Sequence, residues 1–366
     1  MIVSIPGGRT RSRAAVTRVA AARGPAAAQA GDQPRAAMRF ALRAATTASV
    51  TVVLAALLVG VLAPQLWAAA PWLVFGVGLV LGVPHGALDH LVPWWTSART
   101  RPRRAMAAMM AGYLTLAVLA FTVARAWPAP ALAGFLLVSL LHFGAGEAAI
   151  DSLRRRRPDR PHPALRAATV LAFGATTVVI PMAARPDVAN PVLQAFAPST
   201  GALLAAGWQP ACLVAVTVLD LVVAVLLAGT GRLGAAGELL LLAALFLLVP
   251  PLPAFAVYFG AWHGLRHLAR LAATDPANAA DLAGGRLLRP VRRLAVHAAA
   301  PTLAVTAALA AIWAVPGLAD HVARGAVSAG LAVVFALTVP HLLVVAVLDR
   351  RQLRVPAPVD SHRTRH

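Results

Sequence analysis

Ten stretches of apolar residues, most separated by arginine-bearing connections, leave this chain few ways to fold. A helix needs about 20 predominantly apolar residues to cross a bilayer core. On that basis the spans are 44–62, 71–93, 105–125, 130–150, 166–183, 210–228, 236–250, 253–273, 295–314 and 326–348. The composition agrees: 59% of the 366 residues are hydrophobic and 13% charged, more apolar than a soluble domain can bury. The expected fold is all-α, a polytopic integral-membrane bundle of about ten transmembrane helices. The seventh span is short and runs into Pro250, Pro251 and Pro253, so spans seven and eight are expected to form a tight hairpin.

The 33 basic residues are all arginine, and their placement alternates. The N-terminal segment, the C-terminal tail and the connections after spans two, four, six and eight, counted with the span ends that adjoin them, hold 30 of them; the alternate connections, counted the same way, hold 3. Positive charge favours the cytoplasmic side, so both termini are expected in the cytoplasm of a multi-pass cell-membrane protein. Residues 1–40 read as a basic disordered arm, 41–349 as the membrane-embedded catalytic domain and 350–366 as a basic cytoplasmic tail. The formal charge of +20 therefore marks topology; with no separate basic domain or aromatic reading surface, nucleic acid is excluded as a partner. Cys212 is the only cysteine, which excludes an intrachain disulfide and a cysteine-rich metal site.

Against this apolar background the histidines stand out. His85, His142, His263 and His341 lie in spans two, four, eight and ten, which all run the same way across the membrane. They therefore share one depth in the cytoplasmic half, about 12–15 Å from their helix ends at 1.5 Å per residue. His267 follows His263 at i+4, so one helix face offers two imidazoles. Ionisable groups inside spans are rare and mark function by default. Several imidazoles at one depth point to a metal site with His85, His142, His263 and His267 as ligands. His341 serves as a further ligand, an outer partner or a helix–helix hydrogen bond. His90, at i+5 from His85, is turned away and reads as an outer or structural residue.

Imidazole suits Fe, Zn, Cu and Ni. The stretch HGLRH lacks the glutamate of HExxH, which removes the usual general base of a zinc protease. One metal on neutral histidines with an open position fits, and dioxygen chemistry there points to Fe2+. Acids recur nearby: Asp89 is i+4 from His85, Glu147 is i+5 from His142, and Asp220 lies at comparable depth in span six. Ligating histidines usually give their second N–H to a carboxylate or carbonyl, so these acids are expected to orient them. Arg266, between His263 and His267, is an alternative partner for the acids. Phe143, Tyr258, Phe259 and Trp262 border the histidines and either line a channel for an apolar ligand or pack the core. Two rival functions share these features: a transporter or proton relay built on His–Asp pairs, and a membrane haem protein with paired axial histidines.

The stretches GVPHGALDH (82–90), HFGAGE (142–147), YFGAWHGLRH (258–267) and PHLLVV (340–345), in this order, resemble the Brp/Blh family of integral-membrane β-carotene 15,15′-dioxygenases, associated with bacterial and archaeal rhodopsins. The resemblance covers roughly residues 70–348. It implies that His85, His142, His263 and His267 hold iron, and that β-carotene drawn from the lipid bilayer is cleaved with O2. The product would be two retinals, handed on to a rhodopsin. Glu147 stands where the family pattern is expected to carry aspartate, and the first span and basic arm precede the family core.

Overall fold

The computed structural model describes residues 25–97, 103–155, 161–314 and 319–353, and every element among them is helical. Helix α1 is Pro25–Leu62. Helix α2 is Pro71–Gly82, and its line continues, broken, through Pro84–Ala87, a 3-10 turn at Asp89–Leu91 and Val92–Trp95. Then come α3 (Arg103–Ala126), α4 (Pro128–Arg154), α5 (Pro163–Ala184) and the short α6 (Pro186–Phe196). The second half holds α7 (Gln209–Gly229), α8 (Leu233–Leu248), α9 (251–274), α10 (Leu288–Ala314) and α11 (Ala319–Gln352). The middle of α9, Val257–Gly264, is a π-helix.

Proline opens α2, α4, α5 and α6, where a missing N–H costs nothing because the first turn has no intrahelical acceptor. Among the described residues, eight helices are long and apolar enough to cross a membrane. The other two expected spans are also helical: α8 has 16 residues, and α9 is interrupted by its π segment and carries Arg266 and Arg270. The expected unstructured arm over 1–40 is shorter in the structure. Helix α1 already begins at Pro25, and Ala37 is buried in one cluster with Leu88, Leu91 and Leu271; residues 1–24 lie outside the described residues. At the other end, α11 runs to Gln352, three residues into the expected tail.

The surface is apolar where the helices face outward. Leu58 and Val61 of α1, Leu73 and Val77 of α2, Val118 of α3 and Val225 of α7 are all exposed. So broad an apolar exterior suits a lipid solvent. The interior packs chiefly between α4, α5, α7, α8 and α9, with Phe173, Leu239, Leu242, Phe246, Tyr258 and Trp262 at its centre. Close approach of α4 and α5 depends on two glycines. A Cβ on Gly144 would lie 1.9 Å from the Val170 carbonyl oxygen, and one on Gly174 would lie 2.1 Å from that of Leu140. Without a hydrophobic drive between helices in lipid, such small-residue seams are what let backbones meet.

Candidate functional site

Five buried imidazoles converge where α2, α4, α9 and α11 meet. Each is delivered by a local feature. Pro84 breaks α2, and the Gly86 amide turns to the Val83 carbonyl. The Gly82 carbonyl is thereby free to accept from His85 Nδ1. His142 projects from the middle of α4, two residues before the Gly144 seam. His263 sits in the π segment and His267 one turn later in regular helix. His341 follows Pro340 within α11.

The ring centroids form a closed group. His85 is 5.2 Å from His263, 5.6 Å from His267 and 5.0 Å from His341. His142 is 5.1 Å from His263 and 5.2 Å from His341, and His267 is 5.6 Å from His341. His142 Nε2 and His263 Nε2 are 3.3 Å apart. His341 Nδ1 donates to Asp89 Oδ2 at 2.8 Å, and the Tyr113 hydroxyl donates to the same oxygen at 3.1 Å. The Nε2 atoms of His267 and His341 have no hydrogen-bond partner.

Among the described residues, no group of three or more His, Cys, Asp or Glu side chains has its donors already placed to hold a metal ion. The chemistry of the donors is nevertheless of a kind that binds metal, and one pair has suitable spacing. Two nitrogens each ~2.1 Å from a tetrahedral ion are separated by about 3.4 Å, close to the His142–His263 spacing of 3.3 Å. His85 and His341 commit Nδ1–H to a carbonyl and a carboxylate, leaving Nε2 as a lone-pair donor. Buried imidazole nitrogens without partners are costly unless something binds them.

Next to the histidines lies a layer of buried ion pairs. Arg266 is fully buried, and its Nη1 donates to Glu238 Oε2 at 2.9 Å and to Glu147 Oε2 at 3.1 Å. Its guanidinium stacks 3.6 Å over the Trp262 ring, and Trp262 Nε1 donates to Glu147 Oε1 at 2.9 Å. Glu238 also pairs with Arg154, and Asp151 with Arg232. Arg270 closes onto Asp349 of α11 at 2.6 Å. Each charge is matched by a partner, which a low-dielectric interior requires.

The sequence-based assignments fare unevenly. His85, His142, His263 and His267 come together, and His341 joins them fully. Asp89 orients a histidine, but it is His341 of α11 and not His85 on its own segment, because the 3-10 turn at Asp89–Leu91 redirects it. Glu147 does not reach a histidine by any hydrogen bond; Trp262 and Arg266 take both its oxygens. Asp220 accepts from Thr176 at 2.8 Å and has no hydrogen bond to the cluster. His90 Nδ1 donates to the Ala87 carbonyl at 3.0 Å.

Of the four aromatics, Tyr258 and Trp262 are fully buried core rings. Phe143 packs on His263 at 4.9 Å and Phe259 on His85 at 5.3 Å. Two residues absent from the sequence reading matter here: Tyr113, which shares Asp89, and Glu238, which shares Arg266. Glu238 carried a usable signal as the single acid in an otherwise apolar helix. Tyr113 carried none.

The sequence pattern of the family described as β-carotene 15,15′-dioxygenase matches residues 76–349. The chain is also 36% identical over 293 residues to the probable β-carotene 15,15′-dioxygenase Blh of Halobacterium salinarum, covering 75% of this chain and 83% of that protein. No solved structure matches.

Proposed function

Since the chain belongs to the β-carotene 15,15′-dioxygenase family, we propose that it cleaves the central double bond of β-carotene with O2, yielding two retinals and relying on Fe2+. The observation that carries this reading is the group of five buried imidazoles, all within the family-matched region. His85, His142, His263 and His267 would hold the metal, with His341 as a fifth donor. Bound there, ferrous iron would supply the redox chemistry that lets O2 react with an unactivated olefin, as cofactors generally do.

The chain's own contribution is placement. The Gly82 carbonyl and the Asp89 carboxylate fix His85 and His341 in the tautomer that presents Nε2. Tyr113 holds Asp89 from the opposite helix. Phe143 and Phe259 lay apolar rings against His263 and His85, which excludes water and suits a hydrocarbon substrate. In the net reaction the C15=C15′ bond breaks and each carbon gains one oxygen of O2, so no further reductant is consumed. The spans cross the cell membrane with both termini cytoplasmic, so β-carotene enters from the bilayer and retinal leaves into it, available to a rhodopsin.

The test is expression in a β-carotene-producing bacterium, followed by retinal extraction and metal analysis of the purified protein. Retinal at about two per carotene consumed is expected, since placement at the centre splits a symmetric molecule. Alanine at His85, His142, His263 or His267 abolishes both the product and the bound iron. Carotenoid left intact with iron and oxygen present refutes the reading. A Soret band would mark a haem protein instead, and absence of metal would favour a His–Asp relay.

A further inference from the structure

A line of aromatic rings runs outward from the histidines along the seam between α2 and α9. Phe259 lies 5.3 Å from His85. Phe255 stacks on Phe259 at 5.6 Å with an interplanar angle of 9°. Phe75 of α2 follows at 6.1 Å from Phe255, and Trp72 at 6.0 Å from Phe75. Trp72 is 43% exposed near the first turn of α2, while Phe75, Phe255 and Phe259 are half-buried. Core rings of this protein behave differently: Tyr258, Trp262 and Phe246 are fully buried.

We propose that this ladder is the wall along which one half of the polyene substrate lies, with Phe255 and Phe75, midway along it, holding the chain in register. The proposal rests on the carotenoid-cleaving reading and adds Phe255, Phe75 and Trp72, to which that reading assigns no role. Three observations carry it. The ladder is continuous with the histidine site through His85. It opens to the exterior beside the exposed apolar side chains of Leu73, Val77 and Leu81, where a membrane-dissolved hydrocarbon would arrive.

Its reach is also right. Trp72 and Gly82 are ten residues apart on one helix, about 15 Å at 1.5 Å per residue. β-Carotene is about as long as the hydrocarbon core is thick, roughly 30 Å, so one half needs about that reach. Gly82 makes the inner end possible, because a Cβ there would lie 2.2 Å from the Phe259 ring. Flat rings offer broad dispersion contact to a conjugated chain and no polar group that would need a partner.

The experiment compares wild type with Phe255→Ala, Phe255→Leu and Phe75→Ala, and with Phe335→Ala as the control. Phe335 packs on Phe135 at 5.6 Å, away from the ladder. KM and kcat for β-carotene, the ratio of retinal to unequal apocarotenals and the thermal transition are measured on each purified protein. Expected is a KM raised about tenfold in the two ladder alanine variants with kcat nearly kept, the size of a lost aromatic contact. Unequal apocarotenals should also appear as the chain slides. Phe255→Leu, which restores apolar bulk, returns KM toward wild type and remains measurable should the alanine variant fold poorly. Unchanged KM and products in both ladder variants, or the same change in Phe335→Ala, overturns the proposal. A wild-type protein that consumes no carotenoid instead refutes the reaction on which it rests.

Discussion

Gly144→Ala tests how the α4–α5 seam positions His142. The added Cβ would lie 1.9 Å from the Val170 carbonyl oxygen and 2.7 Å from its carbonyl carbon. Both are backbone atoms, so no side-chain rotation relieves the contact. Restoring an ordinary separation of 3.4 Å requires the helices to part by roughly 1.5 Å. His142 is two residues away, and its Nε2 stands only 3.3 Å from His263 Nε2, so a shift of that size dismantles the pair. Misplacement by about 1 Å costs about 100-fold in rate, and overpacking a core typically costs about 1–3 kcal/mol. Retinal formation should therefore fall about 100-fold or more, with a moderate loss of thermal stability. Gly134→Ala is the matched control on the same helix, because its Cβ meets nothing within 4 Å. Retinal extracted from carotene-producing cells, normalised to protein, and thermal unfolding in detergent provide the readouts. Wild-type activity and stability in Gly144→Ala would refute both the close seam and its role in holding His142.

Other outcomes follow from the same contacts. Asp89→Asn removes the carboxylate that accepts from His341 and Tyr113, so activity or metal content should drop about 10–100-fold; Tyr113→Phe, which leaves the His341 bond intact, should cost less in the same assay. Arg266→Met leaves Glu147 in the interior without a cationic partner, while Glu238 keeps Arg154, and should destabilise the protein by roughly 3–5 kcal/mol; adding Glu147→Gln should recover part of the lost thermal stability. For topology, cysteines placed at 96–104, 154–165 and the C-terminal tail should react only from the cytoplasmic side, and labelling of 154–165 from outside would invert the proposed orientation.

Much of the bundle was legible because lipid imposes so simple a rule on sequence. Each of the ten apolar stretches is helical, and the histidines announced themselves as ionisable groups in apolar surroundings. Side-chain pairing was harder to read, because it depends on helices distant in sequence. Spacing along span two suggested Asp89 for His85, yet the break at Pro84 and the turn after it send that carboxylate to His341, 252 residues away. Glu147 was read as a partner of histidine or of Arg266, and α4 and α9 meet so that Arg266 takes it, with Trp262 on its other oxygen. Tyr113 gave no warning because a tyrosine in a span is ordinary. The N-terminal arm misled through composition: alanine and arginine over 25–40 look disordered, yet both residues are strong helix formers.

The π segment at Val257–Gly264 has an implication for how this centre tolerates changes in length. A π turn lodges an extra residue in a helix while keeping both flanks on their original faces. Losing a residue there, Ala261 for example, should let the segment relax to α-helix with Arg266 and Arg270 still facing their acids. The chain would fold, yet His263 would be displaced. The same deletion in α4, at Gly146, has no such slack: at 3.6 residues per turn it swings everything beyond by about 100° and tears Glu147 and Arg154 from their partners. Insertions and deletions near the histidines are therefore unequal events, and α9 is the helix on which the site can be lost while the scaffold survives.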